Sequence, residues 1–255
     1  MRSLFIIFLY ASSFVSFGQI NESDTSTFQL QTRLSGSIQS GNVELVRILG
    51  SLDVSSRLND HFVFKSQNNY LLQKFSGFKA DEDVFSRNFF YYKPERKIYP
   101  YAIGFISTNF RREIEQRAFL GGGLTYQLIR RPGHNLKLSG NGNFERTRFE
   151  EADYNKEQFN GNQQIDQWMY SLYITGFHSI IKNELSLVYE GYWQQGFEES
   201  DISRYHFLIG VNLVIWKGLA MQSRINYTYE NLIVESNRQK DLLWTWGLNY
   251  HYKKG

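Results

Sequence analysis

Strict alternation of apolar and polar side chains over short runs is the feature that most constrains this chain. It is clearest near the C-terminus. In Leu243 to Tyr252, Trp244, Trp246, Leu248, Tyr250 and Tyr252 share one parity. Leu243, Thr245, Gly247, Asn249 and His251 share the other. Successive side chains of a strand point to opposite faces, so this segment predicts one strand with an aromatic face and a mostly small or polar face. A soluble protein would bury the aromatic face, whereas a transmembrane barrel turns it to lipid.

The same period recurs along the chain. Phe28, Leu30, Leu34, Gly36 and Ile38 alternate with Gln29, Gln31, Arg33, Ser35 and Ser37. Leu136, Leu138, Gly140 and Phe144 alternate with Lys137, Ser139, Asn141, Asn143 and Glu145. Similar runs cover Leu185–Gln194, Tyr205–Ile215 and Leu219–Glu230. About twelve strands are predicted, an even number that suits an up-and-down antiparallel transmembrane β-barrel. Aromatic residues make up 17% and Pro numbers only 3, which favours long strands over a disordered chain. With no Pro/Ser linker to divide it, the chain reads as one domain.

The N-terminus bears on compartment. Arg2 is followed by the apolar run Leu4–Val15 and by Ser16-Phe17-Gly18, a signal-peptide pattern with cleavage expected before Gln19. The run is short of the roughly 20 apolar residues that a spanning helix needs. Residues 1–18 are therefore read as a signal peptide and 19–255 as the barrel domain. No Cys is present, which excludes a lipidated Cys and a disulfide framework. The formal net charge of +3 is too small to indicate nucleic-acid binding.

Connections sort into two kinds. Arg57–Asp60, Lys93–Arg96, Arg131–His134, Ile181–Glu184 and Trp216–Gly218 are short and carry turn residues. Gly77–Asp83, Phe149–Gln164, Phe197–Asp201 and Asn231–Lys240 are mostly longer and polar. Short periplasmic turns and longer outer loops are the arrangement of an outer-membrane barrel in a Gram-negative cell. The long-loop rim is acidic, with Asp81, Glu82, Asp83, Glu150, Glu151, Asp153, Glu157, Glu198, Glu199, Asp201 and Glu235. These are read first as solvated loop charges. They are also positioned to share divalent cations with anionic outer-membrane lipid.

Two sets of residues carry a family resemblance. Thr245-Trp246-Gly247-Leu248-Asn249-Tyr250-His251-Tyr252 resembles the terminal signal read by the barrel-assembly machinery, which would make Gly247, Tyr250 and Tyr252 its recognition residues. Ser40-Gly41-Asn42, Gly121-Gly122-Gly123-Leu124-Thr125-Tyr126, and Asp241 followed by Trp246–Tyr250 resemble the salt-induced outer-membrane protein family, a family of unknown function. Val43 and Arg112-Glu113 depart from its pattern. The resemblance implies a place in the cell outer membrane and a barrel fold, and supplies no catalytic residues.

No cofactor or metal motif appears: Cys is absent and no His pair has ligand spacing. Gly121-Gly122-Gly123 lacks the Lys-Ser/Thr of a phosphate loop and reads as a bend or a site of close packing. Of five His, His206 alone lies toward the outer rim with lumen parity, and Ser203 falls on the opposite face. A nucleophile needs its base within hydrogen-bond reach, so no catalytic pair is selected.

The remaining chemistry is the inward set: Arg33, Lys65, Asn141, Glu190, His206, Arg224 and Asn226. They either pair and plug the lumen or line a narrow polar pore, since twelve strands lie between a filled eight-stranded barrel and a wide 16-stranded channel. The sequence thus points to a non-enzymatic outer-membrane barrel, either a narrow channel for ions or small solutes or a protein of osmotic and envelope-stress adaptation. The alternatives are an outer-membrane lipid hydrolase of phospholipase or deacylase type and a soluble periplasmic β-protein that binds apolar ligands.

Overall fold

In the computed structural model the described residues are 20–41, 44–197 and 202–255. The expected signal peptide, Asn42, Val43 and the acidic trio Glu198, Glu199 and Asp201 lie outside them. Twelve strands follow one another: β1 Phe28–Gln39, β2 Leu45–Arg57, β3 Phe62–Phe75, β4 Phe78–Tyr92, β5 Ile98–Asn109, β6 Ile114–Arg131, β7 His134–Phe149, β8 Gln164–Ile181, β9 Leu185–Gly196, β10 Ser203–Trp216, β11 Leu219–Glu230 and β12 Lys240–Lys254. Each pairs antiparallel with its sequence neighbours, and β1 pairs with β12 to close the barrel. Closure leaves no sheet edge along the paired part of the wall, the condition for strands to cross a bilayer.

The faces sort as alternation requires. On β12, Trp244, Trp246, Leu248, Tyr250 and Tyr252 are exposed on the outer wall, whereas Asn249 and His251 are buried inside. On β10, Tyr205, Phe207, Val211, Leu213 and Ile215 form an exposed outer stripe, and Arg204 and Asn212 are buried within. Charged side chains would be costly on such a surface at membrane depth. The barrel is therefore inside out relative to a soluble domain, with its polar groups sequestered and its large apolar groups outward.

The connections at one end are residues 58–61, 93–97, 132–133, 182–184 and 217–218, and those at the other end include 150–163 and 231–239. One expected loop is not a loop. Ser76-Gly77 alone turns the chain between β3 and β4, and Asp81, Glu82 and Asp83 lie in β4 opposite Gln73, Leu72 and Leu71 of β3.

 The reason is pairing: Asp81 meets Arg111 at 2.6 Å, Glu82 meets Lys79 at 3.1 Å, and Asp83 accepts from the Asn109 amide at 3.2 Å. Once each carboxylate has a donor, the run continues the ladder.

The triple glycine of β6 shows close packing. Gly121 and Gly123 sit opposite Asn143 and Asn141 of β7. A Cβ on Gly121 would come within 2.3 Å of the Gly142 carbonyl oxygen, and one on Gly123 within 2.0 Å of that of Gly140. Any side chain there would push β6 and β7 apart, so the run lets the wall curve tightly.

Two apolar clusters sit inside. Val63, Phe89, Tyr91, Tyr99, Tyr101 and Ile103 pack at the short-turn end. At the long-loop end, Ile114, Phe149, Tyr154, Phe159, Met169 and Val234 belong to a second cluster. There the 150–163 and 231–239 loops are tied by the Tyr154–Val234 bridge, and burial pushes the Tyr154 phenol up to about 12.

Candidate functional site

The lumen holds three tiers of charge. The first is built by the segment before β1. Ser23 N–H donates to Asn21 Oδ1 at 3.1 Å and Ser26 N–H to Asp24 Oδ1 at 3.3 Å, local turns of the kind Asn and Asp favour. They fold residues 20–26 back into the short-turn mouth, where Ile20, Glu22 and Ser23 are buried. The Glu22 carboxylate accepts from Lys137 Nζ at 2.7 Å and from the Tyr99 hydroxyl at 2.7 Å, and Lys65 Nζ lies at 3.5 Å. Burial alone would raise the Glu22 pKa, but Lys137 and Lys65 outweigh it and hold the carboxyl well below the usual carboxylate range. Asp24 is held low in the same way, with burial outweighed by Lys253, whose Nζ lies at 2.6 Å.

The second tier crosses the middle. Arg87 of β4 donates through Nη2 to both oxygens of Glu190 of β9, at 2.9 and 3.1 Å. These strands are far apart in the barrel order, so the pair spans the lumen. Tyr173 donates to Glu190 at 2.7 Å, and Arg87 Nε donates to Gln67 at 3.1 Å. The guanidinium also lies 5.2 Å from the Tyr173 ring centroid, within cation–π range.

The third tier lies beneath the long loops. Arg117 donates to both oxygens of Glu230, at 3.0 and 2.9 Å. Arg112 approaches Glu230 at 3.1 Å and Asp241 at 2.6 Å. Arg204 clamps the fully buried Glu145, which also accepts from Thr147 at 3.0 Å. Bidentate arginine–carboxylate pairs combine charge with fixed geometry, so this tier is rigid as well as neutralised.

Space remains between the tiers. An inner cavity of about 80 Å³ runs from Glu22 to the Arg87–Glu190 pair. It is large enough for a few waters only. Beyond that pair a wider cavity of about 380 Å³ extends toward the long-loop side. Lys65 and Asn141 line the inner cavity. Arg33, His206, Arg224 and Asn226 line the outer one, and Glu190 lies on both. Arg33 pairs with Asp53 at 2.8 Å. His206 stacks on Tyr192 with ring centroids 5.1 Å apart, and its Nδ1 lies 3.4 Å from the Thr228 hydroxyl.

Sequence reasoning missed several members of these tiers. Arg87, Arg117, Arg204 and Glu230 carry the inward parity of their strands, so their face was readable. Their partners were not, because Arg87 and Glu190 are 103 residues apart on strands that are not neighbours. Arg112 falls where the sequence departs from the family pattern, and Glu22 lies before the first strand, where alternation gives no signal. The strands also bring together a His pair that spacing did not show: His134 and His178 are register partners on β7 and β8, with Nδ1 atoms 3.3 Å apart. Among the described residues no group of three or more acidic, His or Cys side chains is placed to hold a metal ion.

A closed twelve-stranded antiparallel barrel with an apolar outer wall and a charged lumen defines the outer-membrane barrel class. Residues 32–252 match the family described as "Protein of unknown function, DUF481", and the chain belongs to that family. No curated protein matches the chain. Among solved structures, it is similar to the NanC porin with a TM-score of 0.52 and 7% identity, over 87% of this chain and 98% of that one. It is also similar to the translocator domain of the autotransporter NalP from Neisseria meningitidis, with a TM-score of 0.47 and 9% identity, over 90% of each chain. At such identities the likeness concerns fold alone.

Proposed function

We propose that this chain is a narrow, gated, non-enzymatic channel of the outer membrane for ions or small solutes, with its own N-terminal segment as the gate. One observation carries the reading: Glu22 sits inside the short-turn mouth on Lys137 and Lys65, beneath a lumen that still holds open space. The segment contributes no strand to the barrel and is held by side-chain contacts, Glu22 on Lys137 and Lys65 and Asp24 on Lys253, so it can leave without unfolding the wall. The outer belt of Trp, Tyr and aliphatic side chains supports a place in lipid. The comparison with a porin accords with a transport role, and the family resemblance suggests use under salt or osmotic stress.

The test is electrical. Purified protein in a planar bilayer should show rare, small conductance steps, and Glu22→Lys should make openings at least tenfold more frequent by setting three cations against one another. Equal open probability in the two proteins, or silence in both despite verified folding, would overturn the gate.

A further inference from the structure

The barrel is closed along only part of its seam. Phe28 to Leu34 of β1 lie opposite Lys254 back to Leu248 of β12, and the pairing stops there. Ser35 to Gln39 still pair with β2, and Gly247 to Lys240 with β11. Gly247 stays packed on β1, where a Cβ would stand 2.4 Å from the Leu34 carbonyl oxygen, so any parting begins beyond it. Across the seam these two stretches have no ladder partner. The gap lies at the height of the apolar belt, since Leu34, Trp244 and Trp246 on its two edges are exposed outward. Unpaired backbone in hydrocarbon is costly, so backbone at membrane depth is irregular only where it borders protein or a water-filled space. The outer cavity supplies that space: Leu34, Ser35, Trp246, Gly247 and Leu248 line both it and the seam.

One cation behind the gap differs from its neighbours. Arg33, Arg87 and Arg117 each face a carboxylate, of Asp53, Glu190 and Glu230. Arg224 lines the same cavity and has no ion pair with any described residue, and its Nε is buried without a hydrogen-bond partner. Its cross-strand neighbour on β10 is Gly210, where a Cβ would stand 2.7 Å from Arg224 Cγ. The glycine gives the arginine stem room against the wall.

We propose that the parted β1–β12 seam is a side entrance for a single-chain anionic amphiphile, whose headgroup rests on Arg224 while its chain leaves between the strands into lipid. The guanidinium offers unused donors, and a charge without a direct ion pair, to a carboxylate or phosphate head. Leu34, Trp246 and Leu248 offer an apolar edge to the chain. A wholly water-borne anion would need no gap in the wall, and a neutral lipid would have no use for Arg224. The proposal is independent of the Glu22 gate, which lies at the other mouth.

The test uses the full mature chain folded in non-ionic detergent, with dodecanoate as probe and dodecanol and butyrate as controls, read by native mass spectrometry. One dodecanoate should bind saturably, and the controls should bind at least tenfold more weakly. Arg224→Gln should weaken dodecanoate at least tenfold and leave dodecanol unchanged. For the route, Ser37→Cys and Thr245→Cys place thiols on the two unpaired edges of a chain that has no other Cys. Bridging them with a reducible bis-thiol reagent should abolish dodecanoate binding, and reduction should restore it. Unchanged binding in Arg224→Gln would overturn the headgroup site. Undiminished binding in the bridged protein would overturn the side entrance, and butyrate binding as tightly as dodecanoate would replace the amphiphile with a water-borne anion.

Discussion

Glu22 concentrates the chemistry of the inner mouth in one carboxylate. Its pKa is depressed in the folded protein, so its contribution is present above the ordinary carboxylate value and is lost only as pH falls through the lower native one. Conductance should therefore stay low from about pH 8 down to about pH 5. Openings that rise sharply at about pH 5 in single-channel records would show that Lys137 and Lys65 do not hold it. At the other end, Arg204 guards Glu145, a carboxylate with no exposure. Arg204→Ala would leave Glu145 with Thr147 and an Arg117 Nε at 3.7 Å. Removing one partner of a buried pair costs about 3 kcal/mol or more, so denaturant unfolding in lipid vesicles should shift by that amount. A shift under about 1 kcal/mol would mean that lumen water replaces the arginine.

Among the elements, β6 and β12 each make a separate demand. The wall at β6–β7 closes because Gly121 and Gly123 leave no side chain between the strands. Gly121→Val should prevent folding, read as loss of the compact, heat-modifiable band on a gel, while Gly142→Ala, where the added carbon meets nothing within 4 Å, should fold normally. Equal folding of the two would contradict the packing account. The terminal strand holds the closing register with β1 and ends in the outward rings of Tyr250 and Tyr252. If the assembly machinery reads those rings, Tyr250→Ser with Tyr252→Ser should reduce the membrane-inserted protein in cells severalfold. Normal amounts by blot would leave the motif with a packing role alone.

At the scale of the whole molecule, an apolar exterior around a polar lumen requires a bilayer. The protein should sediment with outer membranes and migrate differently with and without heating; recovery in the soluble periplasm would exclude the lipid-facing reading. Much of this architecture was legible in the sequence. Alternation assigned the outer and inner faces of β12, and turn residues marked the short connections. The acidic run Asp81–Asp83 read as a loop because its donors, Arg111 and Asn109, come from the far end of β5 and the turn beyond it. The sequence by itself determined which side chains face lipid and which face the lumen, because strand geometry ties face to parity. Only the tertiary structure decided that the lumen is crossed by Arg87–Glu190, that Glu22 returns into its mouth, and that the β1–β12 ladder ends at Leu34 and Leu248. Those outcomes depend on register and on contacts between residues distant in the chain, which local alternation does not encode.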